Sequence, residues 1–328
     1  MLEKFYLGSY TKRESKGLYS VVLDTEKKEL LDLKIEKETN NPTYLDNKEK
    51  KLVMVSGKNG KGGILYTDNA IILESYTEDA VPCYVALNKD IILTANYHTA
   101  SLIAYKVSDN KLEILDIVEH NEDKDEKKSH IHYSDWSKDK KYILACDLGK
   151  DTLLTYKLNN NKFELVSTYK TKKGAGPRHL TFHPTLDIAY LICELDASIE
   201  VLSYSKENGS FELIEKVNLL ENESDKKWAA AIKLTKDGKF LYASNRGYDL
   251  ILAYSILENA RLKKLATYKT NGLVPRDFAI SSNEKFLIVA HQDSDNLTLF
   301  ERNNDGSLNL LNSDFYAPEI VCVKNKED

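Results

Sequence analysis

Hydrophobic and polar positions along this chain fall into short runs with a period of two, not into long helical stripes. One stretch shows the unit clearly. Gly176-Pro177-Arg178-His179-Leu180-Thr181-Phe182 is followed by Ile188-Ala189-Tyr190-Leu191-Ile192-Cys193-Glu194-Leu195, then Ser198-Ile199-Glu200-Val201-Leu202-Ser203-Tyr204, then Ser210-Phe211-Glu212-Leu213-Ile214. Four such runs separated by turn residues predict a four-stranded antiparallel meander. The phrase recurs. Val274-Pro275-Arg276 leads to Lys285-Phe286-Leu287-Ile288-Val289-Ala290, Ala229-Ala230-Ala231 to Lys239-Phe240-Leu241-Tyr242-Ala243-Ser244-Asn245-Arg246, and His130-Ile131-His132 to Lys141-Tyr142-Ile143-Leu144-Ala145-Cys146-Asp147. Asn41-Pro42-Thr43 and Pro82-Cys83-Tyr84 open two more copies.

Prolines set the register. Of the six, Pro42, Pro82, Pro177, Pro275 and Pro318 stand just ahead of a first strand, where a missing N–H is tolerated. Repeat starts at residues 42, 82, 131, 177, 229, 275 and 318 are about 40–50 residues apart, the length of a propeller blade. The N-terminus supplies three strands without a first one: Phe5-Tyr6-Leu7-Gly8-Ser9-Tyr10, Gly17 to Val22 and Glu29 to Leu33. The C-terminus supplies a lone first strand, Pro318 to Val323. The expected fold is therefore all-β, a seven-bladed β-propeller of four antiparallel strands per blade, closed by a composite blade of N- and C-terminal strands. Residues 1–328 form a single domain in this reading. Val118 to Lys128 reads as a charged, solvated loop. Lys58-Asn59-Gly60-Lys61-Gly62-Gly63 lacks the apolar helix that follows a phosphate-binding loop and reads as a hairpin turn.

In a propeller blade the first strand lines the central channel, and its start lies beside the end of the second strand. Aligning repeats on Trp136, Phe182, Leu234 and Ile280 puts His132, Arg178 and Arg276 at one phase, with Glu194, Arg246 and Gln292 ending second strands at a matching phase. His130, His179, Asp147, Asn96, Tyr97, Tyr10, His98 and His291 are near neighbours. Charged groups that interrupt apolar strands are costly unless paired. They either staple blades together or form a shared site at the channel mouth. His132, Arg178, Glu194 and Arg246 are the candidate catalytic residues; Arg276, His179, His130, Gln292, Asp147 and Tyr97 are candidate substrate contacts. On an alternating strand His130 and His132 point to opposite sides, and the phase favours His132 for the channel. His183 and His120 read as structural or solvated. His130-Ile131-His132 could present two metal ligands, but no third has a clear spacing, so no metal is assigned. There is no Gly-x-Ser-x-Gly elbow and no motif around a cysteine, so nothing indicates covalent chemistry.

Composition changes this picture little. The 328 residues are 42% apolar and include 20 tyrosines, which suit half-buried strands. A net charge of −5 argues against a nucleic-acid partner but leaves room for a local basic pocket. The cysteines Cys83, Cys146, Cys193 and Cys322 lie far apart and read as small buried thiols in a reducing compartment. No secretory signal precedes Gly8 and no run has the roughly 20 apolar residues of a membrane helix, so a soluble, cytoplasmic protein with no membrane partner is expected.

Several phrases together resemble the lactonase family of seven-bladed propellers. They are Tyr6-Leu7-Gly8-Ser9-Tyr10-Thr11, Asn41-Pro42-Thr43-Tyr44-Leu45, Asp147-Leu148-Gly149-Lys150-Asp151, Gly176-Pro177-Arg178-His179, Glu194-Leu195, Ser244-Asn245-Arg246-Gly247 and Pro275-Arg276-Asp277-Phe278. The family includes propeller-type 6-phosphogluconolactonases and carboxy-muconate lactonizing enzymes. The resemblance implies catalytic roles for His132 or His130, Arg178, Glu194 and Arg246. The chain departs from the family at Ala229-Ala230-Ala231, where an acid and a histidine are common, and at His291 and Ser56-Gly57. The implied activity is cofactor-free hydrolysis of a small anionic sugar lactone, 6-phosphogluconolactone first. In that scheme Arg178 is the oxyanion donor, His132 the base, Glu194 its orienter or the base itself, and Arg246 with Arg276 the phosphate clamp. A muconate-type dicarboxylate lactone and a non-enzymatic binding scaffold are the alternatives. The oligomeric state is left open.

Overall fold

The computed structural model describes every residue except 70, 109, 121–127, 222–227 and 328. The described residues form seven four-stranded antiparallel sheets and no helix. Six sheets are consecutive meanders. The seventh has Ile320–Asn325 as its inner strand, followed outward by Leu2–Ser9, Gly17–Asp24 and Glu29–Glu38. The blades, numbered from Leu45–Lys48, thus close as a ring through the composite seventh. Most of the segment read as a charged loop, 121–127, lies outside the described residues. Val118 and Glu119 are not loop but the end of an outer strand, Lys111–Glu119. Lys58 and Lys61 face each other across a tight hairpin, as expected.

Inner and second strands are the most buried. The outermost strands alternate polar and half-exposed positions, as in Lys162–Lys170, because only one face packs on a neighbouring blade. Tyrosines contribute to both burial and polar satisfaction between blades. Tyr190 and Tyr242, buried at the same place in blades four and five, donate hydroxyls to Ala260 O (3.0 Å) and Gly306 O (2.8 Å) of the next blade. The two histidines read as structural are so: His120 contacts Ala100 O and the Tyr156 hydroxyl, and His183 bonds Gly238 O and the Leu186 amide. All four cysteines are free.

The proline register needs one correction. Pro42, Pro82, Pro177 and Pro275 each immediately precede a residue lining the cavity at the channel mouth. Pro318 stands two residues too early. Ile320 takes the matching ladder position, opposite Ser9, as Pro177 does opposite Cys193.

Candidate active site

Blades four, six and seven enter the channel by the same local device. A residue with a left-handed backbone turns the chain: Gly176 (φ 66°), Val274 (φ 61°) and Glu319 (φ 56°). Glycine takes this conformation freely. Val274, being β-branched, is strained there, and such strain concentrates at functional sites. The carbonyl of the turning residue accepts the amide of Glu194 (2.7 Å), Gln292 (3.1 Å) or Tyr10 (3.0 Å), and Trp228 O does the same for Arg246 (3.0 Å). The turn is held from the preceding blade. Asp151 accepts the Gly176 amide, Asp249 the Val274 amide and Asp295 the Glu319 amide.

A bulge follows two residues later. In blade four Pro177 pairs with Cys193 but His179 pairs with Ile192, so Arg178 is the extra residue. His132 and Arg276 are the extra residues of blades three and six. A bulge breaks strand alternation and re-aims a side chain. Consecutive residues can then face one cavity, as Arg178 with His179 and Arg276 with Asp277 do.

The result is a cup of about 450 Å³ at one end of the channel. Arg178 and Arg246 converge on a single carboxylate oxygen. Arg178 Nε lies 3.0 Å and Arg246 Nη2 2.8 Å from Glu194 Oε2. Arg178 Nη1 donates to Ala230 O at 2.6 Å. These two bonds fix the guanidinium plane and leave Nη2 with no protein acceptor among the described residues. His132 borders the same space, and its Nδ1 is buried without a hydrogen-bond partner. Aromatic rings floor the cup. Tyr44 stacks on Tyr84 at 4.1 Å, Tyr84 packs on Tyr133, and His179 meets them edge-on or tilted. Further along the inner strands, Asp46 pairs with Lys324 (3.4 Å) and Asp277 with Lys233 (3.3 Å).

Electrostatics follow from burial and from the crowd of arginines. Burial, reinforced by Arg178, Arg276 and Arg246, pushes His132 well below 6.5, so its imidazole is neutral at pH 7. His179 is held neutral by burial, Arg178 and His132. Burial pulls Glu194 upward, but Arg246, Arg178 and Arg276 outweigh it and keep the carboxyl below its ordinary range. Burial and Arg246 lower Arg178 to about 9 against the pull of Glu194, leaving it cationic at neutral pH.

Of the residues singled out from sequence, His132, Arg178, Glu194, Arg246, Arg276, His179 and Tyr97 line the cup together. Gln292 sits at its rim, accepting from Arg276 Nη1 at 3.3 Å. Two expected substrate contacts are displaced. Asp147 falls one residue before the matching phase and points away. Its carboxylate is spent on Ser129 Oγ and on the amides of His130 (2.9 Å) and Lys150 (3.0 Å). His130 lies behind Tyr97, stacked at 4.1 Å with Nδ1 2.8 Å from Tyr97 O. It supports a lining residue and does not line the cup. His291 shares the phase of Asp147 and is likewise buried, against Asn296 O. Glu194 makes no hydrogen bond to His132, so the expected orienting role is not seen; it holds two arginines instead.

Lys12 and Trp228 were not among the site residues expected from sequence. Lys12 lines the cup from the loop after Tyr10. Trp228, half exposed, borders a rim groove with Arg246, Arg276 and Gln292. Neither sits in an apolar alternating run, which is why periodicity passed over them. A basic residue beside Tyr10 was the available signal for Lys12.

The family model for the seven-bladed β-propeller lactonases matches residues 4–325. A 6-phosphogluconolactonase of Bacillus subtilis is 33% identical over 97% of both chains. A protein of Lactococcus lactis subsp. cremoris is 42% identical over 98% of this chain and 99% of its own length. A crystal structure of a Lactobacillus plantarum protein superposes with a TM-score of 0.93 at 33% identity, covering 100% of both chains.

Proposed function

The chain belongs to the seven-bladed β-propeller lactonase family, and from that premise we propose that it hydrolyses a sugar lactone bearing an anionic group, with 6-phosphogluconolactone as the leading substrate. The observation that carries this reading is the Arg178–Glu194–Arg246 network beside a neutral His132, in a cationic cup of an otherwise acidic chain.

Lactone hydrolysis needs a nucleophilic water and a home for the negative charge that develops on the carbonyl oxygen. Arg178 meets the second need, because its plane is locked by Glu194 and Ala230 before substrate arrives. His132 meets the first. Its unprotonated imidazole takes a proton as water adds to the carbonyl carbon. The tetrahedral oxyanion rests on Arg178 Nη2. Collapse breaks the bond from the carbonyl carbon to the ring oxygen, which takes the proton back from His132, and the carboxylic acid then ionises. The three arginines that depress the His132 pKa are partly neutralised once the oxyanion forms, so the base strengthens as the reaction proceeds. Glu194, its carboxylate bound by two arginines, acts by positioning them.

The purified protein is expected to hydrolyse 6-phosphogluconolactone above the spontaneous rate. A muconate-type lactone processed faster would move the substrate class, and no acceleration on either would leave only a binding scaffold. A pH profile tests the base. Because His132 stays neutral as pH falls through 6.5, kcat/KM for an uncharged lactone should hold within about twofold between pH 7.5 and 6. A decline centred near 6.5 would mean that the base titrates as an ordinary exposed histidine.

A further inference from the structure

Four cations line the cup, Lys12, Arg178, Arg246 and Arg276, and they are not equivalent. Arg178 and Arg246 are consumed by Glu194. The other lining carboxylate, Asp277, is consumed by Lys233 and by the Val323 amide. Among the described residues no carboxylate lies within ion-pair distance of Arg276 or Lys12; Arg276 has only the neutral Gln292 oxygen. Both cations lie over one ring, Tyr10, with Lys12 Nζ 4.3 Å and the Arg276 guanidinium 5.8 Å from its centroid.

The loop carrying Lys12 is built, not loose. The buried carboxylate of Glu319 accepts the amides of Lys12 (2.9 Å), Arg13 (2.9 Å) and Ser15 (3.1 Å). Arg13, the next residue, is tied outward to Asp295 at 2.6 Å. One of two adjacent basic side chains is thus paired away from the site while the other is held at its wall.

We propose that Lys12 and Arg276, set around Tyr10, form the subsite for a phosphate monoester on the substrate, and that Lys12 is the residue distinguishing phosphorylated from unphosphorylated lactones. This rests on the hydrolase reading above and reassigns the phosphate-holding role from Arg246 to Lys12. Two unpaired cations at one corner match the charge of about −1.5 to −2 on a phosphate monoester at neutral pH better than the single charge of a carboxylate. Glu319 is a positioning residue for this subsite.

The test compares kcat/KM for 6-phosphogluconolactone and glucono-1,5-lactone. Wild type should prefer the phosphorylated lactone, and Lys12→Met should cut that preference by about tenfold or more, mainly through KM for the phosphorylated substrate. Lys12→Arg should restore it to within about threefold. Lys285→Met, which removes the same charge from an exposed turn at the opposite end of a blade, should leave it unchanged. If Lys12→Met slows both lactones equally, or neither, the subsite assignment falls while the hydrolase reading stands. If wild type hydrolyses neither lactone, the hydrolase reading falls and product binding decides the subsite. By calorimetry 6-phosphogluconate should then bind at least about tenfold tighter than gluconate and lose that margin in Lys12→Met. Equal binding of the two by wild type overturns the proposal.

Discussion

Arg178→Ala should lower kcat on the lactone by about 10²–10³-fold, the usual cost of removing one preorganised oxyanion donor. Three features set the size of this effect. The side chain is almost fully buried, so no water easily replaces it. Its Nε and Nη1 are committed to Glu194 and Ala230, which aims the remaining nitrogen without reorganisation during reaction. Its neighbours Arg246 and Arg276 cannot substitute, one being tied to the same carboxylate and the other held against Tyr10 and the Gln292 side chain. Arg178→Lys should recover less than about tenfold, because one ammonium nitrogen cannot reach the acceptors that Nε and Nη1 hold and also place a donor where Nη2 sits. Glu194→Gln should cost about 10- to 100-fold, since it leaves two guanidiniums without their shared countercharge. Breaking a buried pair also destabilises by roughly 3 kcal/mol. Rates are therefore compared at a temperature where thermal melts show each variant folded. A folded Arg178→Ala enzyme as fast as wild type would falsify the assignment.

Deleting Pro318 to Asp328 should lower Tm by at least about 10 °C or abolish the cooperative transition. The deleted strand is the inner strand of the composite blade, and it buries Ile320, Val321, Cys322 and Val323 almost completely. Full burial of an aliphatic side chain contributes about 1.5–3 kcal/mol, so these residues together rival a large part of a typical folding free energy of about 5–15 kcal/mol. The deletion also opens the ring, exposing the ladder edge of Leu2–Ser9. It removes the Glu319 carboxylate as well, stranding three amides of the loop that carries Lys12. Glu319→Ala isolates that last contribution. It should destabilise by about 2 kcal/mol and weaken phosphorylated-lactone binding while leaving the blades assembled. A truncated chain that melts like the full-length one would show that the two ends need not meet.

Much of the site could be read from the chain because repeats share a register. Once Trp136, Phe182, Leu234 and Ile280 are aligned, the equivalence of His132, Arg178 and Arg276 follows from counting, and so does that of Glu194, Arg246 and Gln292. Counting also shows why Asp147 fails as a contact: it stands one residue before the phase of Glu194, and strand alternation turns it away. The partners of these residues could not be counted. Nothing in the spacing says that Glu194 bonds two arginines and not a histidine, because that depends on how three blades are angled around the channel.

What the sequence determined by itself is the repeat, the number of blades, the joining of the two ends and the identity of most residues at the channel mouth, since each follows from a period of two and a blade length that local backbone geometry imposes. Tertiary structure alone decided which cations stay unpaired. A charge's partner is set by through-space distance across blades far apart in the chain. That is why Lys12, held in place by a glutamate about three hundred residues away, became visible only when the ring closed.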